Sequence, residues 1–256
     1  MKKRWLLAGL IWFMSTEAWA DVDSRIDYVG GIAFGYTNLE FDAKLDSSPS
    51  FQSLVLSGGL LFDNYFVNLS YADSVGNTTI SEEEDTGDAG RSDLDLTLGY
   101  RINEQLNLFV GYKDSETDID FKLRDDGTLR REFYRKDGWF AGATYNIPLK
   151  SAGTLSFNLG YVNLKTDDRF RADEEDDDDD DEPEATEFDD LSGRHSGDAD
   201  GWSYGVNWLV PVNDRLYINT TFKINDYDQE IRFEGETFSA DQKLTFFNVG
   251  VVYLFQ

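Results

Sequence analysis

The end of the chain, Phe247 to Phe255, carries a bulky apolar side chain at every second position: Phe247, Val249, Val251, Tyr253 and Phe255, with Asn248 and Gly250 between them. A period of two is that of a β-strand with one apolar and one polar face. Because the pattern recurs along the chain, it limits the fold more than any other feature. Several sheet surfaces of this kind must find an apolar surrounding together.

The recurrences come in hairpins. Leu94, Leu96, Leu98 and Tyr100 share one face and, past Asn103-Glu104, Leu106, Leu108, Val110 and Tyr112 take it up again. Leu54 to Phe62 leads through Asp63-Asn64 into Tyr65, Val67, Leu69 and Tyr71. Trp139 to Tyr145 leads through Pro148 and Gly153 into Leu155 to Tyr161, and Trp202 to Val210 through Asn213-Asp214 into Leu216 to Ile224. With Tyr28 to Tyr36 and the final strand, the pattern predicts an all-β fold of about ten antiparallel strands. A miscounted hairpin would make it eight or twelve.

The connections are of two kinds. Four are tight turns; five are long, near 38–50, 77–91, 115–131, 167–200 and 225–241. Several long ones go on alternating, as in Asp118-Ile119-Asp120-Phe121, so the strands are expected to run on beyond the apolar band.

Lys2, Lys3 and Arg4, then the apolar Trp5 to Met14 and Ala18-Trp19-Ala20, predict a secretory signal peptide over residues 1–20, cleaved near Ala20. Removing Lys2, Lys3, Arg4 and Glu17 takes 23 basic and 50 acidic residues to 20 and 49, a formal net charge of −29. Such a polyanion repels nucleic acid and gathers cations. With no cysteine, disulfides, thiolate metal sites and cysteine catalysis are excluded. No later segment has the eighteen or so continuous apolar residues of a membrane helix, and residues 21–256 suit a single β domain.

Alternation alone does not say which face is outside. The polar face decides, because it is built mainly of Gly, Ser, Asn and Thr rather than the Lys and Glu of a water-exposed surface. Small polar side chains suit a crowded barrel interior, which turns the apolar face toward lipid. Tyr36, Tyr71, Tyr100, Tyr112, Tyr145, Tyr161, Trp139, Trp202 and Trp208 fall at strand ends, the depth amphipathic rings favour in a membrane.

On these residues the chain resembles the bacterial outer-membrane β-barrel class over its whole length. The resemblance implies an antiparallel transmembrane up-and-down barrel, short periplasmic turns, long acidic external loops and a cell outer-membrane location. It also implies lipid, lipopolysaccharide and the barrel-insertion machinery as partners. In that class the last residue is commonly Phe; here Gln256 follows Phe255. The class hosts unrelated activities, so no substrate comes with it.

Parity places Asp93, Asp95, Arg101, Lys113, Arg215 and Lys223 along the lumen, where opposite charges pair and either fill the barrel or line a narrow passage. The tract 173–190 contains Asp176, Asp177, Asp178, Asp179, Asp180 and Asp181 in one run, within an acidic disordered loop over about 171–198. Loosely held Ca²⁺ or Mg²⁺ is the only cofactor this tract suggests, without a specific metal site. Glu82 to Asp85 reads as a solvated charge run. Asp198-Ala199-Asp200-Gly201 resembles a fragment of a calcium loop, but Ser196 and Asn207 stand where carboxylate ligands belong.

The omptin proteases, ten-stranded members of the class, use a His with Asp residues at the outer rim. His195 is the one histidine, and its loop segment Ser192 to Ser196 lacks the Asp-x-His pairing, so it reads as solvated and the chain as no enzyme. The sequence therefore predicts a monomeric barrel, acting as a narrow porin-like channel or as a structural surface protein with a cation-attracting external face. Loop-mediated binding or adhesion, with divalent cations, is the alternative. An outer-membrane hydrolase comes third.

Overall fold

Eleven antiparallel strands form one sheet in a computed structural model, which describes residues 26–41, 48–82, 85–122, 129–170, 193–233 and 236–255. In chain order they are β1 (Ile26–Phe41), β2 (Ser50–Phe62), β3 (Tyr65–Ser74), β4 (Thr78–Glu82), β5 (Asp85–Arg101), β6 (Leu106–Lys122), β7 (Leu129–Pro148), β8 (Thr154–Phe170), β9 (Gly193–Pro211), β10 (Leu216–Phe233) and β11 (Glu236–Phe255). Strand β1 pairs with β11 from Tyr28↔Phe255 to Phe41↔Gln242, and β3 pairs with β5 from Tyr65↔Tyr100 to Asp73↔Ser92. These two pairings join the ends of the sheet into a closed, up-and-down ring of ten strands. No open edge is left within the apolar zone, as a lipid surrounding requires.

The eleventh strand is β4. It continues the place of β3 beside the upper part of β5, from Thr78↔Ala89 to Glu82↔Asp85, in a region the sequence reading assigned to a loop. Between β3 and β4 the chain steps aside at Val75–Asn77, with Gly76 at φ +83°. The step is tied down by Val75 N–H to the Gln52 carbonyl at 2.7 Å and by the Thr78 hydroxyl to the Ser50 carbonyl at 2.6 Å.

Short turns join the strands at one end, called here the turn end. In two of them an asparagine side chain caps the reversal: Asn103 Oδ1 accepts from Gln105 and Leu106 N–H, and Asn213 Oδ1 from Arg215 and Leu216 N–H, all at 2.8–2.9 Å. In the third, a short 3-10 turn at Lys150–Ala152 ends on Gly153 at φ +87°, where a Cβ would stand 1.9 Å from the Leu209 carbonyl oxygen. At the opposite, loop end the strands run on beyond the apolar belt, as the continued alternation of Asp118-Ile119-Asp120-Phe121 predicts. Much of the five long connections is strand, and residues 193–198, expected in the acidic loop, open β9. The signal segment, Asp176 to Asp181 and Gln256 lie outside the described residues.

The outer surface has two zones. Near the turn end, Phe34, Leu98, Val110, Leu159, Phe222 and Val251 point outward and are exposed. This apolar belt is edged below by Tyr28, Tyr100, Tyr145 and Phe255 and above by Tyr36, Trp139, Tyr161 and Trp202. Rings meet edge to face across the upper edge, Tyr112 with Trp139 at 5.4 Å and Tyr161 with Trp202 at 5.3 Å. No helix among the described residues is long and apolar enough to cross a membrane; the exposed apolar belt is carried by strands.

Above the upper edge the alternation continues while the outward face turns from apolar to charged and the inward face stays mixed. On β6, outward Leu108, Val110 and Tyr112 are followed by outward Asp114, Glu116 and Asp118, and inward Ile119 is buried. Strands β9 and β10 repeat this with buried, inward Ala199 and Ile231 between charged neighbours. Leaving lipid for water, the wall no longer needs an apolar outer face.

Candidate functional site in the barrel interior

Inward parity brings four of the six expected lumen residues together. Lys113 Nζ lies 2.9 Å from Asp95 Oδ1 and 3.3 Å from Asp93 Oδ1. Lys223, from β10, reaches Asp95 Oδ2 at 3.8 Å and stacks its ammonium 4.9 Å from the centre of the Phe246 ring. On the ten-strand ring β10 stands opposite β5, so this contact crosses the lumen. Arg91, which the sequence reading left in a loop, completes the group. Its guanidinium donates twice to Asp93, at 2.9 and 2.7 Å, and once to Thr117 Oγ1 at 2.9 Å.

The other two stand apart. Arg101 ends β5 with the inward parity, half-buried at the turn end. Arg215, expected on the lumen, is exposed in the turn before β10, because strand parity begins only at Leu216.

A second cluster lies nearer the loop end. Lys136 of β7 donates to Gln229 Oε1 of β10 at 2.5 Å and to Gln242 Oε1 of β11, again across the lumen. Gln229 in turn donates to Asp168 Oδ2 at 2.5 Å, and all four side chains are buried. Burial pushes the Asp168 carboxyl up to about 6 against the pull of Lys136, and the same burial brings the Lys136 ammonium down to about 8. The other carboxylate oxygen of Asp168, Oδ1, is buried with no hydrogen-bond partner among the described residues.

His195 differs from expectation. It is no solvated loop residue but a buried, inward residue of β9, opposite Asp168 in the β8–β9 register, because β9 begins at Gly193. The calcium-loop fragment is corrected in the same way: Asp198 and Asp200 lie in β9 on the opposite parity to Ala199, along an extended strand that cannot wrap an ion. Among the described residues no three metal-ligating side chains gather. On the outer wall Asp198 pairs with Arg232 at 2.5 Å, and Asp114 with Arg135 at 2.9 Å. Arg194 donates to Asp167 there, and that hydrogen bond lowers the Asp167 carboxyl below its ordinary range.

Packing completes the interior. One apolar cluster draws on ten of the eleven strands, with Phe109, Phe140 and Phe246 nearer the middle and Leu39, Ile119 and Leu164 above. A second, with Leu61, Leu209, Tyr217, Val252 and Leu254, fills the turn end. Between the walls and the ion network a cavity of about 140 Å³ remains. The Arg91, Lys136, Gln229, Gln242 and Asp168 contacts lie beyond the sequence reading, although each of these residues continues the parity of the inward positions below it.

No family model matches the chain, and no curated protein matches it in sequence. Solved structures similar to it include the outer membrane protease OmpT of Escherichia coli, at 12% identity and TM-score 0.49 over 90% of this chain and 96% of that one. The translocator domain of the autotransporter NalP of Neisseria meningitidis is similar at 11% identity and TM-score 0.48, over 92% and 90% of the two chains. Ail, the attachment invasion locus protein of Yersinia pestis, is similar at 12% identity and TM-score 0.40, over 90% and 99%. At such identities nothing those proteins do passes to this chain.

Proposed function

We propose that the chain is a bacterial outer-membrane barrel that works as a surface scaffold with a closed lumen, short turns toward the periplasm and strand extensions and loops outside. The observation that carries this reading is that side chains bridge the lumen at two heights. Lys223 meets Asp95 from the opposite wall, and above it Lys136 meets Gln229 and Gln242. With apolar packing from nearly the whole circumference, these contacts favour a filled lumen over an open passage. Of the two roles the sequence suggests, channel and surface protein, the second fits better.

Lipid and lipopolysaccharide are the surroundings this reading requires, and a barrel-insertion machinery its route to the membrane. The tract Asp176 to Asp181 adds external negative charge that concentrates divalent cations without holding them at a defined site. The reading contains no catalytic step. Its only histidine, His195, faces inward among buried side chains rather than toward an open rim.

Current recording on the refolded protein in planar bilayers tests it. The closed lumen predicts no sustained unitary steps over a wide voltage range. Regular, long-lived steps from the unaltered protein would reject it in favour of the channel.

A further inference from the structure

The chamber between the ion network and the walls is lined on one side by charge and amide groups and on the other by hydrocarbon. Lys113, Asp93 and Asp95 border it with Lys223, while Phe109, Phe140 and Val162 supply an apolar wall. Phe109 and Phe140 meet edge to face at 6.1 Å, so that wall is already well packed. The volume of about 140 Å³ holds on the order of ten waters, or a ligand of about ten heavy atoms.

The charges around it do not balance. Among the described residues the ion network beside it sets three cations, Arg91, Lys113 and Lys223, of which Arg91 does not line the cavity, against the two carboxylates Asp93 and Asp95, an excess of one positive charge. Arg91 and Lys113 occupy the carboxylates at 2.7–3.3 Å, whereas Lys223 holds only a 3.8 Å contact and the Phe246 ring. The unmatched charge therefore resides on Lys223. Two residues along the same inward face of β10 lies Asn225, 1% exposed and lining the same chamber. Its Oδ1 accepts from the Ser203 hydroxyl at 2.7 Å, and its Nδ2 is a buried donor with no partner among the described residues. A half-buried ammonium with only a 3.8 Å anion contact and a buried amide nitrogen with no acceptor among the described residues border one cavity, and each is costly if left unmet.

We infer that this chamber binds a small amphipathic monocarboxylate. Its carboxylate accepts from Lys223 Nζ and Asn225 Nδ2, and its hydrocarbon body lies on Phe109, Phe140 and Val162. The site is independent of conduction: the carboxylate can seat in a barrel that passes no current, so this inference and the closed-lumen reading fail separately.

Calorimetric titration of the refolded protein in detergent tests it with three probes of one shape: benzoate, benzyl alcohol and benzylammonium. The expected result is saturable heat with benzoate and at least ten-fold weaker binding of the neutral and cationic probes. Acetate, which keeps the carboxylate without the ring, should also bind at least ten-fold more weakly. Lys223→Gln should lose benzoate binding and Lys223→Arg keep it. Equal binding of the three ring probes, or no saturable heat with benzoate up to millimolar concentration, would overturn the inference from the unaltered protein alone, whether or not the variants fold.

Discussion

Asp95 inside the barrel and Asp114 on its outer wall both face a cation at 2.9 Å, Lys113 in one case and Arg135 in the other. The Lys113 and Asp95 side chains are 5% and 19% exposed; those of Arg135 and Asp114 are 41% and 32%. The distance is the same and the physics is not. In water the attraction is screened and each partner, if separated, is solvated again, so an exposed pair is worth little. Inside, both charges are largely withdrawn from bulk water, and losing one partner leaves the other poorly compensated. Contact distance alone therefore says nothing about which of the pairs along these strands hold the barrel together.

The sharpest way to break this comparison is to remove the inner carboxylate. Asp95→Asn keeps the size of the side chain but raises the excess around Lys113 and Lys223 from one positive charge to two. A loss of about 3–5 kcal/mol is expected, as for a buried pair deprived of one member. Urea unfolding in lipid vesicles, followed by tryptophan fluorescence, measures it. A loss no larger than that of an outer-wall variant would mean that the lumen is wet enough to screen its own charges.

The loop-end cluster gives a comparison in pH rather than in mutation, since Asp168 and Lys136 are buried above the membrane edge. Burial raises the folded Asp168 carboxyl to about 6, above its ordinary value of about 4 in an unfolded chain, so its contribution is fully present below about 4 and lost as pH rises through 6. Burial lowers Lys136 to about 8, so its contribution is present above about 10.4 and lost as pH falls through 8. Stability is thus expected to be lowest between about pH 6 and 8, with both groups charged. Asp168→Asn should flatten the acid side of that dip and move its alkaline side to lower pH, because Lys136 loses the carboxylate that holds its ammonium up. A profile that rises from pH 4 to 7 would contradict the assigned burial.

These residues also mark where sequence stops being legible. Within the membrane zone the rule was simple, because lipid outside and crowding inside make one parity apolar and the other small or polar. That rule located Asp93, Asp95, Lys113 and Lys223 on the inner face. Above the aromatic edge the alternation persists, which in Asp118-Ile119-Asp120-Phe121 predicts strand running on, but the outward face turns charged, so most of these positions fall in the long connections. Arg91, Asp168, His195 and Gln229 went with them. The cross-lumen meetings depend on ring closure, which brings β10 opposite β5, and no local pattern encodes that. Gln229 and Gln242 carry no charge to draw notice, and Thr78–Glu82 is too short to announce a strand.

The smallest expected effect sharpens the comparison from its outer side. Arg135 donates from Nε and Nη2 to the two oxygens of Asp114, at 3.0 and 2.9 Å, which is the best geometry an exposed pair can have. If geometry governed, Arg135→Ala would cost as much as Asp95→Asn. With solvent in control, the loss is expected to stay below about 1 kcal/mol. The difference between Arg135→Ala and the unaltered protein should also shrink as salt rises from 0.05 to 0.5 M, because the screening length falls well below the protein's own dimensions. For Asp95→Asn the difference should change less over the same range, since a largely buried pair is screened much less than an exposed one. Parallel salt titrations of the two variants, read by the same urea unfolding, decide the point: equal salt sensitivity would mean that both pairs see the same water.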